Sequence, residues 1–128
     1  MRINRRYLSI LAIGLAIVWG IMRLLNGSPN PSQCAFTDRS QVNSLEFVPH
    51  ARCRMRCRDI SQDLVEQVYL KGKVNCAKSG EKKGDMRYAL ELEDTEGDNI
   101  RVIIEEENQK HIVITAIRIG GEDRCECS

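Results

Sequence analysis

Apolar positions along this chain follow three spacings, and each predicts a different element. Tyr7 to Met22 (YLSILAIGLAIVWGIM) is a continuous apolar run, preceded by Arg2, Arg5 and Arg6 and followed by Arg23-Leu24-Leu25. From Pro49 to Gly72 the apolar residues recur at helical spacing. Pro49 fits the first turn of a helix that ends near Arg58-Asp59, with Ala51 and Met55 facing a core. Ser61 caps a second helix, with Asp63 in its first turn and an apolar stripe of Leu64, Val65, Val68 and Tyr69. Gly72 ends that helix as a left-handed cap. Beyond it the period drops to two. Lys73 to Lys78 reads as a short strand broken by Ser79-Gly80. Arg87 to Glu93 places Tyr88, Leu90 and Leu92 on one face. Ile100 to Glu105 and His111 to Ile119 are β-branched runs joined as a hairpin near Asn108. The expected fold class is α+β: an N-terminal transmembrane helix, then two helices packed on a three- to four-stranded antiparallel sheet.

The first apolar run sets the expected location. A spanning helix wants about 20 apolar residues, with about 17 as the short limit. This run reaches that limit only if Arg23 snorkels to the interface. A cleaved signal peptide is the alternative, but no clear small-x-small site follows Trp19. Arg2, Arg5 and Arg6 outweigh Arg23, so the positive-inside rule keeps the N-terminus in the cytoplasm. The expectation is a single-pass inner-membrane protein with a periplasmic C-terminal domain. It divides into an anchor at 1–25, meeting the lipid bilayer through 7–25, a linker at 26–48 and an α+β domain at 49–128. The linker opens on the flexible segment NGSPNPSQ at 26–33.

Charge narrows the partners. All eighteen acidic residues and fifteen of the nineteen basic ones follow the expected anchor at 1–25, leaving that part with a formal charge of about −3. A net acidic domain disfavours nucleic acid as a partner. Basic charge is nonetheless concentrated at Arg52, Arg54, Arg56 and Arg58, which reads first as a solvated helix face and second as a local phosphate site.

That same helix carries the candidate chemistry. His50, Cys53 and Cys57 fall at i, i+3 and i+7, so they share a stripe flanked by Arg54 and Arg58. A second thiol pair, Cys125-Glu126-Cys127, lies in an expected extended segment. Cys53 and Cys57 are one turn apart on a helix and do not easily join each other. Cross-pairing between the two motifs satisfies both, either as two disulfides or as a tetrahedral zinc site in which His50 is a further candidate ligand. Free thiols are the third reading. Six cysteines suit an oxidising compartment and favour disulfides, with no cofactor required. Cys34 and Cys76 are left over and available to pair. His111, after polar turn residues, reads as a surface residue. Arg54 and Arg58 are expected to form salt bridges to Glu91, Glu93 or Asp94.

A family resemblance rests on these residues. His50-Ala51-x-x-Arg54-Met55-x-x-Arg58-x-Ile60-Ser61, with Val68 and Gly72-Lys73, resembles the opening of the domain-of-unknown-function family 4258. Tyr88-Ala89-Leu90, Ile100-Arg101-Val102-Ile103 and Val113-Ile114-Thr115 are similar to its strands. The extra cysteines look like a membrane-anchored bacterial branch. The resemblance implies a fold like the RelE-like and barnase-like ribonuclease toxins. A site of that kind would draw on His50, Arg54, Arg58, Lys78 and Arg101. No nucleophile elbow, P-loop or carboxylate dyad is present. The leading expectation is therefore a cysteine-stapled, membrane-tethered envelope module that binds an unknown protein or small ligand without catalysis. A ribonuclease-fold enzyme and a zinc or thiol-redox module are the alternatives.

Overall fold

The computed structural model describes residues 5–25, 34–121 and 124–127. The chain divides into two compact units, Met1–Asn30 and Pro31–Ser128. The flexible segment expected at 26–33 lies outside the described residues.

The first unit contains helix α1, Arg5–Leu25. It corrects the membrane expectation. Among the described residues no helix is long and apolar enough to cross a membrane, so neither the transmembrane helix nor the single-pass inner-membrane location stands. The uncharged stretch between Arg6 and Arg23 holds 16 residues. At 1.5 Å per residue it covers about 24 Å, short of a hydrocarbon core of about 30 Å.

The second unit holds β1 (Glu46–Phe47), α2 (Pro49–Cys57), α3 (Gln62–Lys71), β2 (Lys73–Val74), β3 (Gly80–Lys82), β4 (Asp85–Glu93), β5 (Asn99–Glu107) and β6 (Lys110–Arg118). The strands form one six-stranded sheet in the order β1-β6-β5-β4-β2, with β3 also paired to β4. It is mixed: β1 runs parallel to β6, while the other pairings are antiparallel. This corrects the expected three- to four-stranded antiparallel sheet. Two causes account for the extra strands. The stretch expected as one strand from Lys73 to Lys78 stops at Val74, where turn hydrogen bonds from Lys78 N–H to the Asn75 carbonyl and from Ser79 N–H to the Cys76 carbonyl reverse it. Two short strands then pair with different parts of β4. The other cause lies upstream: residues 34–48, expected as part of a linker, are built into the domain and supply β1.

The long hairpins follow from alternation and turn chemistry. Asn108 (φ 50°) and Gln109 (φ 64°) form the two-residue link between the paired Glu107 and Lys110. Both angles are positive, as a tight hairpin matched to strand twist requires. Leu90, Ile100, Val102, Ile104, Val113 and Ala116 turn one sheet face toward Ala51 and Met55 of α2 and Val65, Val68 and Tyr69 of α3. Ala51 and Met55 are four apart, as are Val65 and Tyr69, so each helix presents one stripe to the sheet.

Ser61 caps α3, its side chain accepting from the Leu64 N–H at 3.2 Å. The other end departs from expectation. Gly72 is extended (φ −62°, ψ 146°), not left-handed. Its glycine is a matter of space. A Cβ there would collide with the Val68 carbonyl oxygen and stand 3.2 Å from the Glu91 carbonyl oxygen. Gly72→Ala is therefore expected to lower stability by about 1–3 kcal/mol, the cost of overpacking against backbone that has little room to shift. A urea unfolding midpoint equal to wild type would show that the helix end relaxes freely.

Candidate functional site on the stapled helix

Helix α2 begins at Val48, which is extended and supplies no side-chain cap, and Pro49 takes the first helical position. With Ala51 and Met55 buried, the cysteines and arginines are left on the remaining faces. Cys53 bonds Cys127 and Cys57 bonds Cys125, each with Cα atoms 5.9 Å apart. The spacings match physically. Four residues of helix advance about 6 Å, and two residues of extended chain advance nearly 7 Å. A Cys-x-x-x-Cys helix therefore presents two sulfurs in step with an extended Cys-x-Cys segment running the opposite way. Joined in this manner, the four sulfurs are not thiolate donors. Cys34 bonds Cys76 (Cα–Cα 5.5 Å), fastening residue 34 to the turn after β2.

The expected ribonuclease-like set is divided between two places. His50 and Arg54 lie on α2, and Arg58 stands at its C-terminal cap. The Arg54 Nε donates to His50 Nε2 at 3.3 Å. Arg58 donates to the Ala116 carbonyl at 2.7 Å, fixing the helix to β6. Arg101 lies elsewhere, on the sheet face that alternates away from the core residues Ile100 and Val102. Its Nε donates to Glu91 at 2.6 Å, and Asn75 donates to the same oxygen at 2.9 Å. Burial alone would raise the Glu91 carboxyl, but these two hydrogen bonds and the charges of Arg101 and Lys78 outweigh it and hold it low. Lys78 sits exposed in the turn after β2, within electrostatic reach of Glu91.

The salt bridges expected from Arg54 to Glu91, Glu93 or Asp94 are absent among the described residues. Arg118 takes Asp94 instead, at 3.0 Å, and Asp98 at 2.8 Å. It also donates to the carbonyls of Arg58 and Asp59, tying the end of α2 to the β4–β5 turn. The Asp98 amide, with the Glu96 amide and Arg118, outweighs burial and holds the Asp94 carboxyl below the usual carboxylate range. The carboxylates of Asp94, Glu96 and Asp98 lie within 4.8 Å of one another, and Arg118 neutralises two of them. Sequence reasoning passed over Arg118. Its only signal was a basic residue at the end of a strand pattern.

His111 corrects a further expectation. It is 2% exposed, not a surface residue, and its Nδ1 lies 2.7 Å from the Tyr69 hydroxyl. Its period-two relation to Val113 was the signal that placed it on the core face.

After these pairings, Arg52, Arg54 and Arg56 have no carboxylate partner among the described residues. The arrangement defines a small α+β module of unassigned function, pinned by three disulfides and carrying a basic helix. Residues 47–118 match the family model described as Domain of unknown function (DUF4258), and the chain belongs to that family. No curated protein and no solved structure matches it. The matched span contains all of α2, α3 and β2 to β6, but not Cys34, Cys125 or Cys127. Every disulfide therefore joins the family domain to a segment outside it.

Proposed function

We propose that this protein is a non-catalytic binding module whose disulfides hold flanking segments on the family domain so that α2 presents its arginines in fixed positions. The observation that carries this reading is the pairing pattern. Two of the three bridges land on α2, the helix whose Arg52, Arg54 and Arg56 lack acidic partners among the described residues. Such bridges need an oxidising environment to persist. Division of the toxin-like residues supports binding over RNA cleavage. Arg101 is committed to Glu91 on the sheet face turned away from the core. A net acidic domain also disfavours the electrostatic attraction on which binding of an RNA backbone rests.

The test compares oxidised full chain with His50→Ala and Arg54→Ala variants on a mixed-sequence RNA. Intact RNA with all three is the expected result. Cleavage by the wild type that either substitution abolishes would establish the ribonuclease reading in its place.

A further inference from the structure

Between the end of α2 and the start of α3 lies an open recess of about 490 Å³, lined by Arg52, Met55, Arg56, Ile60, Ser61 and Gln62. We propose that this recess binds a small carboxylate bearing an apolar tail. The inference rests on the binding-module reading and names its ligand class.

The recess has two chemically distinct parts. Its floor is Met55 (7% exposed) and Ile60 (4% exposed), both members of the hydrophobic core. Water gains little from such a surface, and an aliphatic chain covers it favourably. Its rim carries Arg52 and Arg56. These residues are four apart on α2, so their side chains project from one edge of the helix. Both are exposed, and neither has a carboxylate partner among the described residues. The Arg52 guanidinium lies 5.3 Å from the centre of the Phe47 ring, which is not part of the recess lining. Beside them, the first turn of the ten-residue α3 contributes its positive dipole end. Guanidinium groups grip carboxylates through paired hydrogen bonds.

Neighbouring charge limits the size of the anion. Ser61 also borders a second recess in which Asp59, Asp63, Glu93, Asp94 and Glu96 outnumber Arg118. A polyanion reaching past Ser61 meets that acidic wall, whereas a single carboxylate head does not. The volume falls in the usual range for small-molecule sites, about 300–1,000 Å³.

The experiment uses oxidised full chain with isotopically labelled methionine methyl groups, and follows Met55 by NMR. Hexanoate, hexan-1-ol and inorganic phosphate are titrated in parallel. Hexanoate is expected to give a saturable shift of the Met55 methyl, at least about tenfold tighter than either of the others, because only it satisfies both floor and rim. Arg52→Gln and Arg56→Gln are each expected to weaken it about tenfold while leaving the unliganded Met55 resonance in place. Hexanol binding as tightly as hexanoate would overturn the proposal by making the site merely apolar. Phosphate binding as tightly would overturn it by making the site a plain anion cradle. So would affinity unchanged in both arginine variants, or no saturable shift at all. Each of these failures, with RNA left intact, removes the ligand class alone. Cleavage of RNA would remove the binding-module reading itself.

Discussion

Removing either α2 bridge alone, as Cys53→Ser with Cys127→Ser or Cys57→Ser with Cys125→Ser, should cost about 2 kcal/mol, and removing both should cost about 6–7 kcal/mol. The asymmetry comes from the nesting of the two loops. The bridges span 74 and 68 residues. In the chain-entropy model a loop of that size is worth about 4.4 kcal/mol to whichever bridge closes it first. Once one is closed, the other adds only the short circuit from Cys53 to Cys57 and from Cys125 to Cys127. Closing that small ring is worth about 2 kcal/mol. The two pairs therefore back each other up, and their losses are more than additive.

Urea unfolding of the wild type, the two single-pair variants and the four-serine variant measures this as a thermodynamic cycle. The expected coupling is about 2–3 kcal/mol, from the same loop arithmetic. A loss of about 6–7 kcal/mol is comparable to the whole stability of a small domain, so the four-serine form should sit close to its unfolding transition in plain buffer. Strictly additive losses would mean that the bridges do not act by closing a shared loop. An unchanged midpoint in the four-serine form would mean that the segment bearing Cys125 and Cys127 contributes nothing to folding. Reductant applied to the wild type should reproduce the four-serine result or exceed it, because Cys34–Cys76 opens as well. Chelator should leave the midpoint alone.

Elements with several periods of pattern were legible in the sequence. The i, i+4 pair of Ala51 and Met55, the Ser61 cap and the alternation of Tyr88, Leu90 and Leu92 each repeat a local rule that the tertiary structure keeps. Short elements were not legible. β1 is two residues long and exists because Glu46 and Phe47 meet Ile112 and Val113, a pairing with no local signature. β2 and β3 are similarly brief, so a single reading across Lys73 to Lys78 missed the turn between them. Gly72 was read by its usual role at a helix end, when the constraint is the nearness of the Val68 carbonyl oxygen and, behind it, of the Glu91 backbone on β4. For the cysteines, spacing alone limited the partners but not the direction of the tail. That direction is given by the pairings of Cys53 with Cys127 and Cys57 with Cys125. The membrane reading counted apolar residues favourably at Arg23, whereas the span between charges is too short. Arg118 was missed because its acceptors, Asp94, Asp98 and the carbonyls of Arg58 and Asp59, lie at least 20 residues away.

Phe36→Ala should destabilise the domain by about 3–5 kcal/mol, the range for emptying a buried aromatic site. This residue stands in the stretch expected as linker, with no periodic partner, yet it is 6% exposed. Its ring centre lies 4.9 Å from Tyr88, 5.0 Å from His111 and 5.5 Å from Tyr69, the last edge-on. Aromatic contacts of this kind add to the area buried. Residues on either side hold the ring in place. Cys34 is bonded to Cys76, Arg39 donates to the carbonyls of Tyr69 and Gly72 at the end of α3, and the Gln41 side chain accepts from the His111 amide. Removing the ring leaves the hydrogen-bonded Tyr69 and His111 beside a cavity that these fixed neighbours cannot collapse to fill. Phe36→Leu, which keeps most of the volume, should cost less than half as much. The two variants are compared by urea unfolding, and in Phe36→Ala the rate of His111 modification by diethylpyrocarbonate should rise severalfold over wild type. A cost below about 0.5 kcal/mol, typical of surface positions, would show that the segment from Cys34 to Val48 lies on the domain without belonging to its core.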